Sequence, residues 1–345
     1  MRVAVLSGGR SSEHDVSLRS GASVVRGLEA GGHEVVAVTI SRAGAWSHAG
    51  GSVELTPGAG LLRAEVVFPV LHGAFGEDGS IQGLLEWLDV PYVGSDVLSS
   101  AVCMDKLTLK RLFAAHGVPQ VDFTAVEGSE WWGRCEQLGL PLWVKPSRMG
   151  SSVGITRVDS LDQLDEAVEL ALRHDPRVIV EASAGGREVE CSVLGNEQPR
   201  ASLPGEIVAH ADWYDFEAKY TEGGMELRVP APLEEATAAR VRELAVEVFA
   251  LAGCSGLAAA TSSSSPAARS WSTRSTPCPA SPRPASTRSC SRPAAPPTPS
   301  SATASSSWRW SATPAPAPSS SKLFQRLCRV RCGALIGSLR SLART

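Results

Sequence analysis

The sequence predicts an α/β fold built on a parallel sheet, from three observations. Short apolar runs alternate with amphipathic helical stretches through the first half of the chain. Paired glycines, Gly8-Gly9, follow the first run directly, where a strand must turn tightly into a helix. The 345 residues are 43% hydrophobic, enough for the cores of two or three domains, and no apolar run has the length to cross a bilayer.

Each element follows from its local pattern. RVAVLS (2–7) predicts a buried strand. The stretch bearing Val16, Leu18, Val24, Val25 and Leu28 predicts a helix stopped by Gly31-Gly32. HEVVAVTI (33–40) and EVVFPVLHG (65–73) predict strands, and SIQGLLEWLDV (80–90) a helix. This spacing places helices on both faces of the sheet. A second unit starts near residue 97 with a helix over 97–115, then strands near 121–126 and 141–145. Ser160-x-x-Gln163 fits a capping box ahead of the periodic LDEAVELALRH, and VIVEA (178–182) closes the unit. A third unit has the strands REVECSVLG and ASLPGEIVAH, a long loop over 211–233 and an amphipathic helix in EEATAARVRELAVEVFALAGC.

After Leu257 the periodicity ends. Residues 258–321 are almost all Ala, Ser, Pro, Thr and Arg, a composition that cannot bury enough apolar surface to offset chain entropy. The expectation for most of them is disorder. The final KLFQRLCRVRCGALIGSLRSLART has the pattern of a cationic amphipathic helix without a selected role.

Charge is divided unevenly. The first 247 residues hold all 36 acidic and 21 of the 33 basic residues, a net −15, and the remainder carries +12. An acidic body argues against a nucleic-acid surface. The opening MRVAVLSGGRSS is too short in apolar residues for a signal peptide, so the expected location is the cytoplasm, without membrane attachment. The eight cysteines form no C-x-x-C pair, which suits thiols in a reducing compartment.

Several segments carry chemistry. Glu13 follows Gly8-Gly9 where open parallel sheets bind ligands; it can receive an ammonium or cap the helix. His72 opens HGAFGEDG after an apolar strand, where glycines and acids are ordinary turn chemistry, and taken by itself it reads as structural. Lys145 ends a strand and precedes PSRMGSSVG, whose small residues let backbone N–H groups close on a polyphosphate while the lysine neutralises charge. Lys106 and Lys219 lie in two other units, and three lysines from separate units suit a triphosphate. Glu181 and Glu188 flank the turn between two strands, where backbone groups can meet adenine and a carboxylate can meet ribose; Glu188 can equally be a strand-edge charge.

LSGGRSSEHDVSL, FPVLHGAFGEDGSIQGLLE, YVGSDVLSSAVCMDK, VKPSRMGSSVGI and DFEAKYTEG together resemble D-alanine–D-alanine ligases of the ATP-grasp superfamily, over residues 1 to about 257. The resemblance implies a three-domain ATP-grasp architecture. Residues 1–97 would be the N-terminal α/β domain, 98–182 the central subdomain and 183–257 a partial C-terminal subdomain. Residues 258–345 would be an aberrant tail. It implies ATP with Mg²⁺ or Mn²⁺, D-alanine as substrate, a homodimer as the usual assembly, and synthesis of a peptidoglycan precursor. One D-alanine carboxylate attacks the γ-phosphate, and the second D-alanine's amine displaces phosphate from the acyl phosphate. By resemblance Glu13 holds the first ammonium, with Ser151 and Tyr220 linked to it. Lys106, Lys145 and Lys219 contact phosphates, Glu181 and Glu188 sit at adenine and ribose, and His72 lies near the substrate. Another ATP-grasp carboxylate–amine ligase is one alternative, and a catalytically dead nucleotide-binding remnant is another.

The chain departs from the family where G-L-A-R-V-D-F-F and, later, N-E-x-N-T-M-P-G-F-T are expected. It has Gly256-Leu257-Ala258 and then Ala259-Ala260-Thr261-Ser262, without the arginine that steadies the oxyanion or the acids and asparagine that hold metal. A lost base explains this. Thr273 through Pro282 can be encoded so that the shifted frame reads E-V-N-T-M-P-G-F-T. The expectation is that residues from about 259 onward are out of frame.

Overall fold

A computed structural model describes residues 1–150, 153–209, 225–263 and 271–274. The first sheet comprises β1 (Arg2–Gly8), β2 (Glu34–Ile40), β3 (Trp46–His48), β4 (Gly51–Ser52) and β5 (Val66–Pro69), in the order β4-β3-β2-β1-β5. β1 runs parallel to β2 and β5. The short hairpin β3-β4 adds an antiparallel edge that apolar periodicity did not announce, because its few residues are mostly exposed. Strand alternation sorts the core. Val3 and Val5 face α1 (His14–Ala30) through Leu28, while Ala4 and Leu6 face α2 (Ser80–Trp87) through Ile81 and Leu85. Helices therefore cover both faces.

The second sheet is antiparallel throughout. β6 (Phe123–Ala125), β7 (Leu142–Pro146), β8 (Thr156–Val158) and β9 (Val178–Ala182) take the order β6-β9-β7-β8. Val144, Val158 and Val180 pack on Cys135 of α5 (Trp131–Leu138) and on Leu164 and Ala167 of α6 (Leu164–Leu172). The capping box of Ser160 and Gln163 is present and opens a 3-10 turn that leads into α6. The single helix expected over 97–115 is instead two, α3 (Val97–Met104) and α4 (Lys106–Ala115). They part at Asp105, whose extended backbone lets its carboxylate accept the Thr108 N–H and cap α4 afresh.

The third sheet runs β13-β12-β10-β14-β15, with β11 paired to β10. Its strands are β10 (Glu188–Gly195), β11 (Arg200–Ala201), β12 (Gly205–Ala209), β13 (Met225–Arg228), β14 (Gly256–Ser263) and β15 (Trp271–Arg274). β13 lies within the stretch expected to be all loop. α7 (Glu235–Leu251) buries Val241, Leu244, Val248 and Phe249 against Val189, Cys191 and Val193, and the same core takes in Cys103, Leu109 and Phe113 from α3 and α4. The expectation that order ends at Leu257 is corrected by β14. That strand continues through Ser263, paired with β10 along its whole length. An existing strand supplies backbone hydrogen bonds whatever the next side chains are, and Ala258 and Ala260 fill the buried positions. Residues from 275 onward, including the terminal cationic stretch, lie outside the described residues. No described helix is long and apolar enough to cross a membrane.

Gly21 sits where α1 crosses β1, and a Cβ there would stand 2.5 Å from the Ser7 Cβ. Helix propensity alone would favour Gly21→Ala by up to about 1 kcal/mol. The clash reverses the sign, and the substitution is expected to destabilise by about 1–3 kcal/mol in urea unfolding.

Candidate functional site

Glu13 lies in the connection between β1 and α1, and it is buried. A Cβ on Gly73 would stand 2.6 Å from Glu13 Oε2, and one on Gly150 would stand 3.4 Å away. The carboxylate therefore occupies the junction between the HGAFG loop of the first sheet and the loop that follows β7. Gly73 has φ +70, so a side chain there would be strained as well as crowded. Ser11 supports this corner: its hydroxyl donates to the His72 carbonyl at 2.6 Å and accepts the Glu13 N–H at 3.2 Å. His72 itself is buried, with Nε2 3.3 Å from the Ser20 hydroxyl. A cavity of about 160 Å³ opens beside it, lined by Gly9, Leu71, His72, Ala74 and Phe75 among others.

The loop after β7 is clamped to the start of α4. Ser147 donates its hydroxyl to Asp105 at 2.7 Å and accepts the Leu107 N–H at 3.0 Å. Lys106 donates its Nζ to the Met149 carbonyl at 2.6 Å and to the Ser147 carbonyl at 3.3 Å. On the far side, Asp175 takes the Arg148 backbone N–H at 2.7 Å and the Arg148 guanidinium at 2.6 Å. Burial alone would push the Asp175 carboxyl up. The Arg148 guanidinium and the backbone N–H groups of Arg177 and Arg148 outweigh that and hold it below its ordinary value. Arg177 pairs with Asp105 and completes the clamp.

Lys145 and Glu181 meet across the β7–β9 ladder, with Lys145 Nζ 2.6 Å from Glu181 Oε2. A residue not anticipated from the sequence, Lys110 of α4, approaches the other oxygen at 3.5 Å. Burial pushes the Glu181 carboxyl up, but the nearby Lys145 and Lys110 charges and the Lys145 hydrogen bond prevail and bring it down to about 2. Burial lowers Lys110 despite the pull of Glu181. The spacing of Lys106 and Lys110, four residues apart on one helix, was the signal that both share a face.

Of the expected site residues, Glu13 and His72 share one corner, while Lys106, Lys145 and Glu181 share the next. Gly150 carries the chain from one to the other. Glu188 is exposed at the start of β10, beside Arg187, whose guanidinium pairs with the buried Glu206 at 2.7 Å. Ser151, Lys219 and Tyr220 lie outside the described residues.

The divalent cation implied by the resemblance finds no fitting donors among the described residues. No three His, Cys, Asp or Glu side chains among the described residues could share a metal ion. β14 offers only Gly, Leu, Ala, Thr and Ser, and the sequence has no Asp or Glu after Glu247. Glu190, on the neighbouring strand, accepts the Thr261 hydroxyl at 3.2 Å.

Asp175 and Glu181 give the fold an acid limit. Both are held below their unfolded values, so their stabilisation is complete above about pH 5 and fades as pH falls through the native values, to about 2 for Glu181. The melting temperature is expected to be flat from about pH 7 to 5 and to drop below that. Asp175→Asn should cost about 1–3 kcal/mol at neutral pH and flatten the acid slope in thermal unfolding.

Comparison with known proteins bears on this arrangement. Residues 2–57 and 54–95 match the family described as D-ala D-ala ligase N-terminus, and residues 112–261 match D-ala D-ala ligase C-terminus. The chain is 43% identical to the D-alanine–D-alanine ligase of Thermoanaerobacter sp. (strain X514), over 74% of this chain and 81% of that protein. It is 44% identical to that of Mycobacterium tuberculosis (strain ATCC 25618 / H37Rv), over 75% and 82% respectively. The fold resembles the VanG D-Ala:D-Ser ligase from Enterococcus faecalis with a TM-score of 0.71 at 31% identity, covering 80% of this chain and 90% of that one. It resembles the D-alanine–D-alanine ligase from Coxiella burnetii with a TM-score of 0.70 at 32% identity, covering 79% and 84%. Both halves of the pattern occur in order along one chain, and Glu13 lies where a loop of the first half, at Gly73, meets a loop of the second, at Gly150. This chain belongs to the D-alanine–D-alanine ligase family, whose members are ATP-dependent ligases.

Proposed function

We propose that the cleft takes ATP and D-alanine and is built to join two D-alanines through an acyl phosphate. One observation carries this reading: Glu13 Oε2 lies within reach of both Gly73 and Gly150. An amino acid whose ammonium meets Glu13 would then lie against the loop held by Lys106, with Lys145 at that loop's start. Its carboxylate would face the cations that gather a nucleotide's phosphates. Holding two anions in line while dispersing their charge is the main catalytic demand of such a transfer.

In this reading Lys106, Lys145 and Lys219 contact phosphates. The end of β9 and the turn after Glu181 meet adenine, and the exposed carboxylate of Glu188 meets ribose. His72 lines the D-alanine pocket, while Ser151 and Tyr220 link to Glu13 and help close the site against water. The proposal extends to the division at residues 97 and 182, a homodimer, and a cytoplasmic role in making a peptidoglycan precursor. No step runs through a metal ion, since the donors among the described residues do not fit one.

Two supports favour a lost base near codon 259. The family pattern stops at residue 261. The chain beyond Glu247 lacks every acid that the family places there. Binding without efficient turnover is therefore expected. In a phosphate-release assay with ATP, Mg²⁺ and D-alanine, the chain should bind both substrates but run about a thousandfold or more below an intact relative, in keeping with loss of an oxyanion-stabilising group. Turnover at a relative's rate would show that the missing residues are dispensable. Glu13→Gln should weaken D-alanine binding about tenfold to a hundredfold, as loss of a charged hydrogen bond does, measured by calorimetry with adenosine binding as the folding control.

A further inference from the structure

Glu181 is a single carboxylate with two lysines on it, one on each oxygen. One lysine would already neutralise it. The second, Lys110, is 5% exposed at its side chain, whereas Lys145 is 22% exposed. Lys110 also donates to the Val121 carbonyl at 3.3 Å and lies 5.2 Å from the centroid of the Phe123 ring. It is sealed within the α4–β6–β9 layer and cannot itself touch a ligand. Burying a cation costs free energy, and an apolar side chain of similar length would fill this space with less desolvation. The position therefore maintains charge where filling space would have been easier.

We infer that Lys110 is a positioning residue of the nucleotide site: by sharing Glu181, it leaves Lys145 with a positive charge in excess to present to a phosphate. The inference rests on the reading of this cleft as an ATP site. Without Lys110, Lys145 and Glu181, already 2.6 Å apart, would form a neutral pair with the Lys145 charge fully answered. With Lys110 present, the three groups sum to one positive charge. The Lys106 charge also acts on Glu181, and the exposed Asp122 acts on Lys110 from solvent, where water screens it. The field at the cleft is therefore positive before any nucleotide arrives.

The test compares the full chain with Lys110→Met, Glu181→Gln and the double variant, titrated calorimetrically with ATP and with adenosine in metal-free buffer. The triad then carries one positive charge in the unaltered chain, none in Lys110→Met, two in Glu181→Gln and one in the double variant. The quantity read is the ratio of ATP to adenosine affinity, which isolates the phosphates. It is expected to fall about tenfold in Lys110→Met, to rise about tenfold in Glu181→Gln, and to return to the original value in the double variant. A residue that only maintains packing would lower affinity without following charge, and the second substitution would not rescue it. If Lys110→Met does not fold, the order of the other three proteins still decides the matter. An unaltered chain that binds both ligands, with a ratio that ignores the triad's charge, overturns the inference alone. An unaltered chain that binds neither overturns the nucleotide reading and this inference with it.

Discussion

Asp105 is the buried carboxylate on which the cleft's alignment depends. It stops α3, caps α4 through Thr108, takes the Ser147 hydroxyl and pairs with Arg177. The helix junction at Asp105, the loop after β7 at Ser147 and the start of β9 at Arg177 thus meet on one side chain. An acid this enclosed is tolerable only because both carboxylate oxygens are answered, and removing any partner would leave a costly charge behind. The geometry that follows is specific. Lys106 begins α4 in reach of the Met149 carbonyl, and Lys110 lies one turn later against Glu181. The loop after β7 is thereby pinned between the cation cluster and Glu13.

Much of this fold was legible from periodicity. β1, β2, α1, α2 and α7 occur where apolar spacing placed them, since each buries a full face or stripe. The failures share a physical cause, which is that context outweighed local pattern. The stretch 97–115 reads as one helix, yet the tertiary partners of Asp105 make a break favourable. β3 and β4 are too short and exposed to show alternation. β14 carries alanines and serines with little strand propensity, and only the register offered by β10 makes it a strand.

The site was legible to a different degree. Glu13, Lys106, Lys145 and Glu181 lie in distinctive segments with glycines or small residues, because close backbone approach leaves a mark on composition. Lys110 and Asp175 leave no such mark. A lysine on an amphipathic helix and an aspartate after a helix are ordinary in sequence, and their burial appears only when α4 packs on β9 and the loop after β7 folds over Asp175. Residue spacing can show which groups share a helix face, but it cannot show which of them the next layer will enclose.

The core completed by α7 and β14 also contains Cys103, Leu109 and Phe113, and the Sγ atoms of Cys103 and Cys254 lie 3.6 Å apart. During synthesis on the ribosome, α3 and α4 emerge long before these partners exist. Their apolar faces must remain uncovered while well over a hundred further residues are translated, a period in which chaperones have access and wrong contacts compete. A change of reading frame close behind Cys254 therefore reaches back in space to helices made much earlier. Its first cellular effect would fall on the yield of folded protein, ahead of any effect on chemistry.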